Sequence, residues 1–305
     1  MSQKINRISE LEKKYLNQAL NDNFSMSTNG EWLAKFETSV KNVTQTKYAI
    51  SFSNCTAALH SSLLALNLKK GAEVLVPSLT YGATAMVVLQ AGFIPVFVDI
   101  DKNTLLLDEV DARDKINKKT GAVIVVSVFG LEFKYSNFFR DIRKKGIKII
   151  EDNAEFSISK FNKLKKECDI ACFSFQASKH LTSGHGGVAI TNNKKIADNL
   201  RSISALGFKF NSNSSKINVN KDKMSVKSRH SLIGYNYRLA DPLAAILLGQ
   251  IERGEILTNC RIEAGNSFQK ILNSYDFVTT QEIPKNSIHT FWTFPIIFKS
   301  IKLLN

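Results

Sequence analysis

Three runs decide how this chain folds: Ile147-Lys148-Ile149-Ile150-Glu151-Asp152, Ile170-Ala171-Cys172-Phe173-Ser174-Phe175 and Gly187-Val188-Ala189-Ile190-Thr191. They are short and mostly apolar, without the strict polar alternation of a strand that has one wet face. Such runs read as strands covered on both faces. The pattern recurs upstream at 48–53, 73–76, 94–99 and 122–129. Between the strands lie helical stretches. Residues 56–66 carry Ala58, Leu59, Leu63 and Leu66 on one stripe. Residues 80–89 and 137–145 are further candidates, the last closing at Gly146 as a helix stop. Alternating β and α elements predict an α/β domain with a mostly parallel central sheet sandwiched by helices. In such sheets ligands collect beyond the carboxyl ends of the strands.

Composition narrows the class. The chain has 305 residues, 41 Lys plus Arg against 27 Asp plus Glu, and a net charge of +14. With 44% hydrophobic residues it is not a disordered chain. The length suits one large domain or one and a half. Fifteen Gly, five Pro and four Cys exclude collagen and disulfide scaffolds. Cys55, Cys168, Cys172 and Cys260 form no Cys-x-x-Cys pair, so no structural metal is expected and reduced thiols are. The polar N-terminus is no signal peptide and no apolar run reaches the ~18 residues of a membrane span, which predicts a cytoplasmic protein without a membrane partner. The charge alone raises nucleic acid as a partner, but no helix-turn-helix, zinc finger or RNP signature accompanies it. Residues 209–229 hold six basic residues and one acidic one and read as a polar, solvated loop. A long helix is expected from about 240 to 255, helical pattern again at 261–272, and a last strand within 288–298.

The chemistry-bearing residues fall at strand ends. Asp152 closes the run 147–151, and Lys179 follows the run 170–175 in Gln176-Ala177-Ser178-Lys179-His180. Alone, each has an ordinary reading, a helix cap for the acid and a solvated loop for the lysine. Together they suit pyridoxal phosphate. That cofactor needs a lysine for its covalent attachment and an acid for its pyridine nitrogen. It also needs a phosphate cup, often at a helix N-terminus. Ser53-Asn54-Cys55-Thr56-Ala57 offers one, as a strand ends, polar residues turn and a helix begins.

These stretches also resemble the DegT/StrS-type nucleotide-sugar aminotransferases, pyridoxal-phosphate enzymes of fold type I. The likeness runs in order through Phe36-Glu37, Asn54-Cys55-Thr56-Ala57-Ala58-Leu59-His60, Val76-Pro77-Ser78-Leu79-Thr80-Tyr81, Pro95 to Asp101, Ile150-Glu151-Asp152-Asn153-Ala154, Ser174 to Lys179, Gly186-Gly187 and Gly234-Tyr235-Asn236-Tyr237-Arg238. The resemblance implies that Lys179 binds the cofactor and shuttles protons, and that Asp152 pairs with the ring nitrogen. It implies that Tyr81 stacks on the ring and that Cys55, Thr56 and Ser174 hold the phosphate. Asn236 would reach that phosphate from the partner of a homodimer, with Arg238 assisting or serving a structural ion pair. Relatives that are sugar dehydratases carry histidine at the lysine position. Lysine here implies transamination, from an amino-acid donor such as glutamate to a keto group of a nucleotide-linked sugar, for surface polysaccharide or related glycan synthesis.

Three positions depart from the family's usual residues: Cys55 in place of Gly, Glu155 in place of His or Gln near the cofactor's phenolic oxygen, and His185 in place of Glu. The resemblance also implies a large cofactor domain over 1–240 and the start of a small domain over 241–305, with one lone strand and an apparent truncation. A second reading is therefore a truncated, non-catalytic cofactor-binding remnant or scaffold subunit, and a third is a keto-sugar dehydratase.

Overall fold

The computed structural model describes residues 5–22, 30–209 and 230–299. Nearly all of the basic stretch 209–229 therefore lies outside the described residues.

The seven apolar runs form one sheet: β1 (Tyr48–Phe52), β2 (Glu73–Pro77), β3 (Ile94–Val98), β4 (Thr120–Val126), β5 (Lys148–Asn153), β6 (Ile170–Ser174) and β7 (Gly187–Thr191). Their spatial order is β1-β7-β6-β5-β4-β2-β3. β7 runs antiparallel to both neighbours, β1 and β6, while every other pairing is parallel. Six strands thus share one direction, and their carboxyl ends line one edge together with the start of β7. All the strand-end motifs meet along that edge.

Among the described residues, helices precede, connect and follow these strands: α1 (Glu10–Asn21), α2 (Glu31–Thr44), α3 (Cys55–Ala65), α4 (Ala83–Gln90), α5 (Glu109–Lys115), α6 (Asn137–Lys144) and, after β7, α7 (Lys194–Ser204). The pleat sorts β6 and β7 between two apolar cores. Ile170, Cys172 and Ala189 join the core that holds α3 to α7. Ala171, Phe173, Val188 and Ile190 join the one that holds α1 and α2. This two-sided burial is why the strands show no polar alternation. Each fully buried Phe or Ile stabilises the fold by about 1.5–3 kcal/mol relative to exposure.

Several boundaries differ from the sequence reading. The strand expected to run to residue 129 stops at Val126, because Phe129 takes a left-handed turn with φ 59°. The helix expected from 80 begins at Ala83, leaving residues 78–82 as a turn. The helix expected at 240–255 ends at Glu252 as α8 (Asp241–Glu252), and the one expected at 261–272 starts earlier, as α9 (Gly254–Leu272), with Arg253 as the joint. Through Ala244, Ala245, Leu247, Leu248 and Ile251, α8 joins the same core as α1 and α2, on the sheet. The expected domain boundary at 240 therefore falls at the N-cap of a helix that covers the large sheet. The C-terminal strand is not alone either. β8 (Val278–Thr280) and β9 (Ile296–Phe298) form an antiparallel pair, which satisfies the backbone groups a lone strand would expose.

Before β9 the chain returns to the large sheet. Glu132 N–H donates to the Ile288 carbonyl (2.8 Å), Thr290 N–H to Gly130 (2.7 Å) and Trp292 N–H to Phe129 (2.9 Å). This crossing lays residues 288–292 over the turn beyond β4.

Candidate active site

β5 pleats so that Asp152 and its neighbour Glu151 face opposite sides of the sheet. Asp152 is 3% exposed. Its Oδ2 accepts from the Thr84 hydroxyl (2.8 Å) and its Oδ1 from the Ala154 N–H (3.0 Å). Thr84 in turn meets Thr80 (2.8 Å), one helical turn earlier in the chain. Burial pushes the Asp152 pKa upward, and the Ala154 N–H, the Thr84 hydroxyl and the Lys179 charge pull it back.

Lys179 stands beyond β6 and is held from the backbone. Its N–H donates to the Gln176 carbonyl (2.9 Å), and its own carbonyl accepts from the Arg7 guanidinium. Burial lowers the pKa of the amine, against the pull of Glu155, Asp152 and Cys55. Its Nζ makes no hydrogen bond among the described residues and lies 3.8 Å from the centroid of the Trp292 ring. A desolvated amine facing two carboxylates is poised to exchange a proton or attack a carbonyl carbon.

Glu155 is buried, and burial raises its pKa. Its Oε2 accepts from the Phe129 N–H at 2.6 Å. The left-handed turn at Phe129 lies in the turn that presents this donor. The carboxylate therefore has a backbone partner that the sequence did not reveal.

The cup forms where β1 meets α3. Asn54 caps the helix, its Oδ1 accepting from the Ala57 N–H at 2.8 Å. The N–H groups of Cys55 and Thr56 have no intrahelical partner and carry the positive end of the helix dipole. Gly187 starts β7 directly against this turn. A Cβ there would come within 2.4 Å of the Asn54 carbonyl carbon and 2.6 Å of Cys55 N, so only glycine fits. Ser174 pairs with Gly187 across the β6–β7 ladder, half-buried, with its Oγ accepting weakly from Gln176 N–H (3.4 Å). Cys55 itself is buried; burial first, and then Asp152, push its thiol well upward, so it stays neutral.

The remaining expected residues are at the rim. Tyr81 is 75% exposed, on the turn between β2 and α4. Asn236 is exposed, its Oδ1 accepting from Arg238 Nε at 3.0 Å. It lies next to Tyr237, whose carbonyl accepts from Ser53 N–H (2.7 Å) and anchors this segment by the cup.

Thr84, Trp292 and Arg261 belong to the site and were absent from the sequence reading. Thr84 had a usable sign, its helical spacing from Thr80 beyond a strand end. Trp292 and Arg261 had none, because tertiary docking brings them. Arg261 donates to the Trp292 carbonyl (3.1 Å) and to the Ser178 carbonyl (3.3 Å), tying the C-terminal crossing to the lysine loop.

The donor set fits pyridoxal phosphate. A buried carboxylate, an amine with no hydrogen-bond partner among the described residues and a helix N-terminus with open N–H groups lie along one sheet edge. No group of three or more His, Cys, Asp or Glu suited to a metal occurs among the described residues. No helix among them is long and apolar enough to cross a membrane.

Comparison with known proteins agrees with this geometry. The chain is 32% identical over 291 residues to a GDP-perosamine synthase of Escherichia coli O157:H7, covering 95% of this chain and 75% of that protein. It is 30% identical to the GDP-perosamine synthase of Vibrio cholerae, covering 94% and 74%. Among solved structures, the E. coli GDP-4-keto-6-deoxy-D-mannose-3-dehydratase with bound hydrated PLP superimposes with a TM-score of 0.83 at 25% identity, covering 96% of this chain and 77% of that one. The architecture is that of the fold type I pyridoxal-phosphate enzymes. The sequence profile of the DegT/DnrJ/EryC1/StrS aminotransferase family matches residues 6–303, and the chain belongs to that family.

Proposed function

We propose that this protein is a pyridoxal-phosphate-dependent aminotransferase that moves an amino group from an amino acid, glutamate first among the candidates, to the keto carbon of a nucleotide-linked sugar. The observation that carries the reading is the convergence of Lys179, Asp152 and the open N-terminus of α3 at one sheet edge. The GDP-perosamine synthases among its relatives make a guanosine-diphosphate-linked keto-sugar the first substrate to test.

Bound at this edge, pyridoxal phosphate supplies an electron sink for the carbanion that forms at the substrate carbon. Asp152, braced by Thr84 and Ala154, holds a proton on the ring nitrogen. The α3 N-terminus receives the phosphate. Lys179 moves a proton to and from the substrate carbon, and its lowered proton affinity keeps more of the amine free near neutral pH.

A dehydratase would need another base in place of this lysine, and His180 does not serve. It is buried, its Nε2–H donates to the Thr290 carbonyl at 2.8 Å, and burial and the Arg261 charge push its pKa down to about 3. Lysine at position 179 favours amino transfer.

The same reading extends to a homodimer. α4 exposes Met86 and Leu89, and the adjoining edge strand β3 exposes Ile94 and Phe97. These apolar side chains suit a second copy, whose Asn236 would complete the phosphate cup. On this reading the protein works in the cytoplasm.

The test is a split reaction. Glutamate should discharge the visible absorbance of the cofactor-loaded protein, and a nucleotide-linked keto-sugar should restore it. Lys179→Ala should lack the band and lose turnover by at least about 10²–10⁴-fold. An unchanged spectrum in Lys179→Ala, or no response to any amino acid, overturns the reading.

A further inference from the structure

Trp292 is placed with unusual care for a half-buried residue. It is part of neither apolar core. Its N–H donates to the Phe129 carbonyl and its carbonyl accepts from Arg261. Phe291, just before it, takes a left-handed turn with φ 49°. Gly130, with φ 102°, faces this crossing so closely that a Cβ would lie 2.8 Å from Thr290 Oγ1 and 2.9 Å from both Phe291 N and Trp292 N. Residues 290–292 are thus seated directly against the Gly130 backbone. The outcome of that seating is the indole ring 3.8 Å from Lys179 Nζ.

Position then constrains what else the ring touches. A lysine that moves a proton to a carbon must bring its Nζ within about 3 Å of the reacting group. The indole and the reacting keto carbon therefore both fall within the reach of one lysine side chain, and that carbon is part of a hexose ring. Sugar rings carry a face of C–H groups, and a large aromatic surface with a polar edge packs against such a face. The amine that occupies the indole in this structure is engaged elsewhere once the cofactor is bound, which opens the ring to the substrate.

We propose that Trp292 is a specificity residue that contacts the sugar, its indole forming the wall against which the hexose of the nucleotide-linked substrate lies while Lys179 serves the keto carbon. This rests on the aminotransferase reading above. Arg261 is a positioning residue in this scheme, because it acts by holding the Trp292 and Ser178 carbonyls.

The test compares bare nucleotides with their sugar-bearing forms on the cofactor-loaded protein: GDP against GDP-mannose, TDP against TDP-glucose, and UDP against UDP-N-acetylglucosamine, by titration calorimetry. The unmodified protein should prefer at least one sugar-bearing form to its bare nucleotide. Trp292→Ala should lose that preference by about five- to tenfold with unchanged affinity for the bare nucleotide. Trp292→Phe, which keeps a ring, should retain most of it. A preference untouched in Trp292→Ala overturns the inference, as does equal loss of bare-nucleotide and sugar-nucleotide binding. Absence of any preference in the unmodified protein overturns it too. Failure of the parent reading has a different signature, the absence of a spectral response to glutamate in the unmodified protein.

Discussion

Glu151 and Asp152 are adjacent, both buried, and serve opposite sides of one strand. Asp152 looks toward Thr84 and the lysine. Glu151 looks toward Tyr135, whose hydroxyl donates to its Oε2 at 3.3 Å. Burial raises the Glu151 pKa to about 7 from an ordinary value of 4.5, with Asn153 and Tyr135 pulling against the shift. A carboxyl group whose folded pKa is raised binds its proton more tightly in the native state. Its stabilising contribution is complete below pH 4.5 and is lost as pH rises through about 7. The variant Glu151→Gln should therefore gain stability relative to the unmodified protein as pH goes from 5 to 8. Urea unfolding at several pH values measures this, and a gap that is constant with pH defeats it. Nothing in the local sequence separates the two acids. The resemblance assigned Asp152 its role, and the pleat explains why its neighbour cannot share it.

At the scale of elements, the motif Phe36-Glu37 was legible as a stretch and opaque as a function. The structure makes Glu37 a tie among three elements. From α2 its Oε1 accepts from the N–H (2.8 Å) and hydroxyl (2.7 Å) of Ser51 on β1, and from Arg201 Nη1 (2.8 Å) on α7. Arg201 Nη2 pairs with the other carboxylate oxygen. Both side chains are more than nine-tenths buried. Replacing one partner strands the other charge, which costs about 3–5 kcal/mol. Arg201→Met should lower the urea midpoint accordingly at an unchanged slope, and a shift below about 1 kcal/mol would mean that the pair is solvated. Strand positions were read well because β-rich apolar runs are local properties. Ends were read less well at β4, where Phe129 adopts an αL turn that no composition rule predicts. The joint between α8 and α9 was expected at 256–260 and falls at Arg253.

At the scale of the molecule, α4 connects the proposed interface to the chemistry. Thr84 on its buried side holds Asp152, and Met86 and Leu89 on its exposed side form the face proposed for a second copy. Met86→Glu combined with Leu89→Glu should weaken the dimer at least about tenfold and reduce cofactor retention with it, while the far-ultraviolet dichroism stays that of a folded chain. Sedimentation at several concentrations with a cofactor absorbance trace measures both. A stable dimer with full cofactor in the double variant would move the interface elsewhere.

The amino-acid order settled which runs become strands, that they alternate with helices, and that an acid, a lysine and a helix start fall just beyond strand ends. Those properties depend on neighbours within a few residues, where burial pattern, turn chemistry and capping act. Tertiary structure decided which of those ends share a pocket, that Glu155 is met by the Phe129 N–H, and that Thr84 braces Asp152. It also brought Trp292, 113 positions away in sequence, to Lys179. Such long-range meetings depend on how the C-terminal crossing hydrogen-bonds to the turn at 129–132, and no local pattern in either segment encodes the pairing.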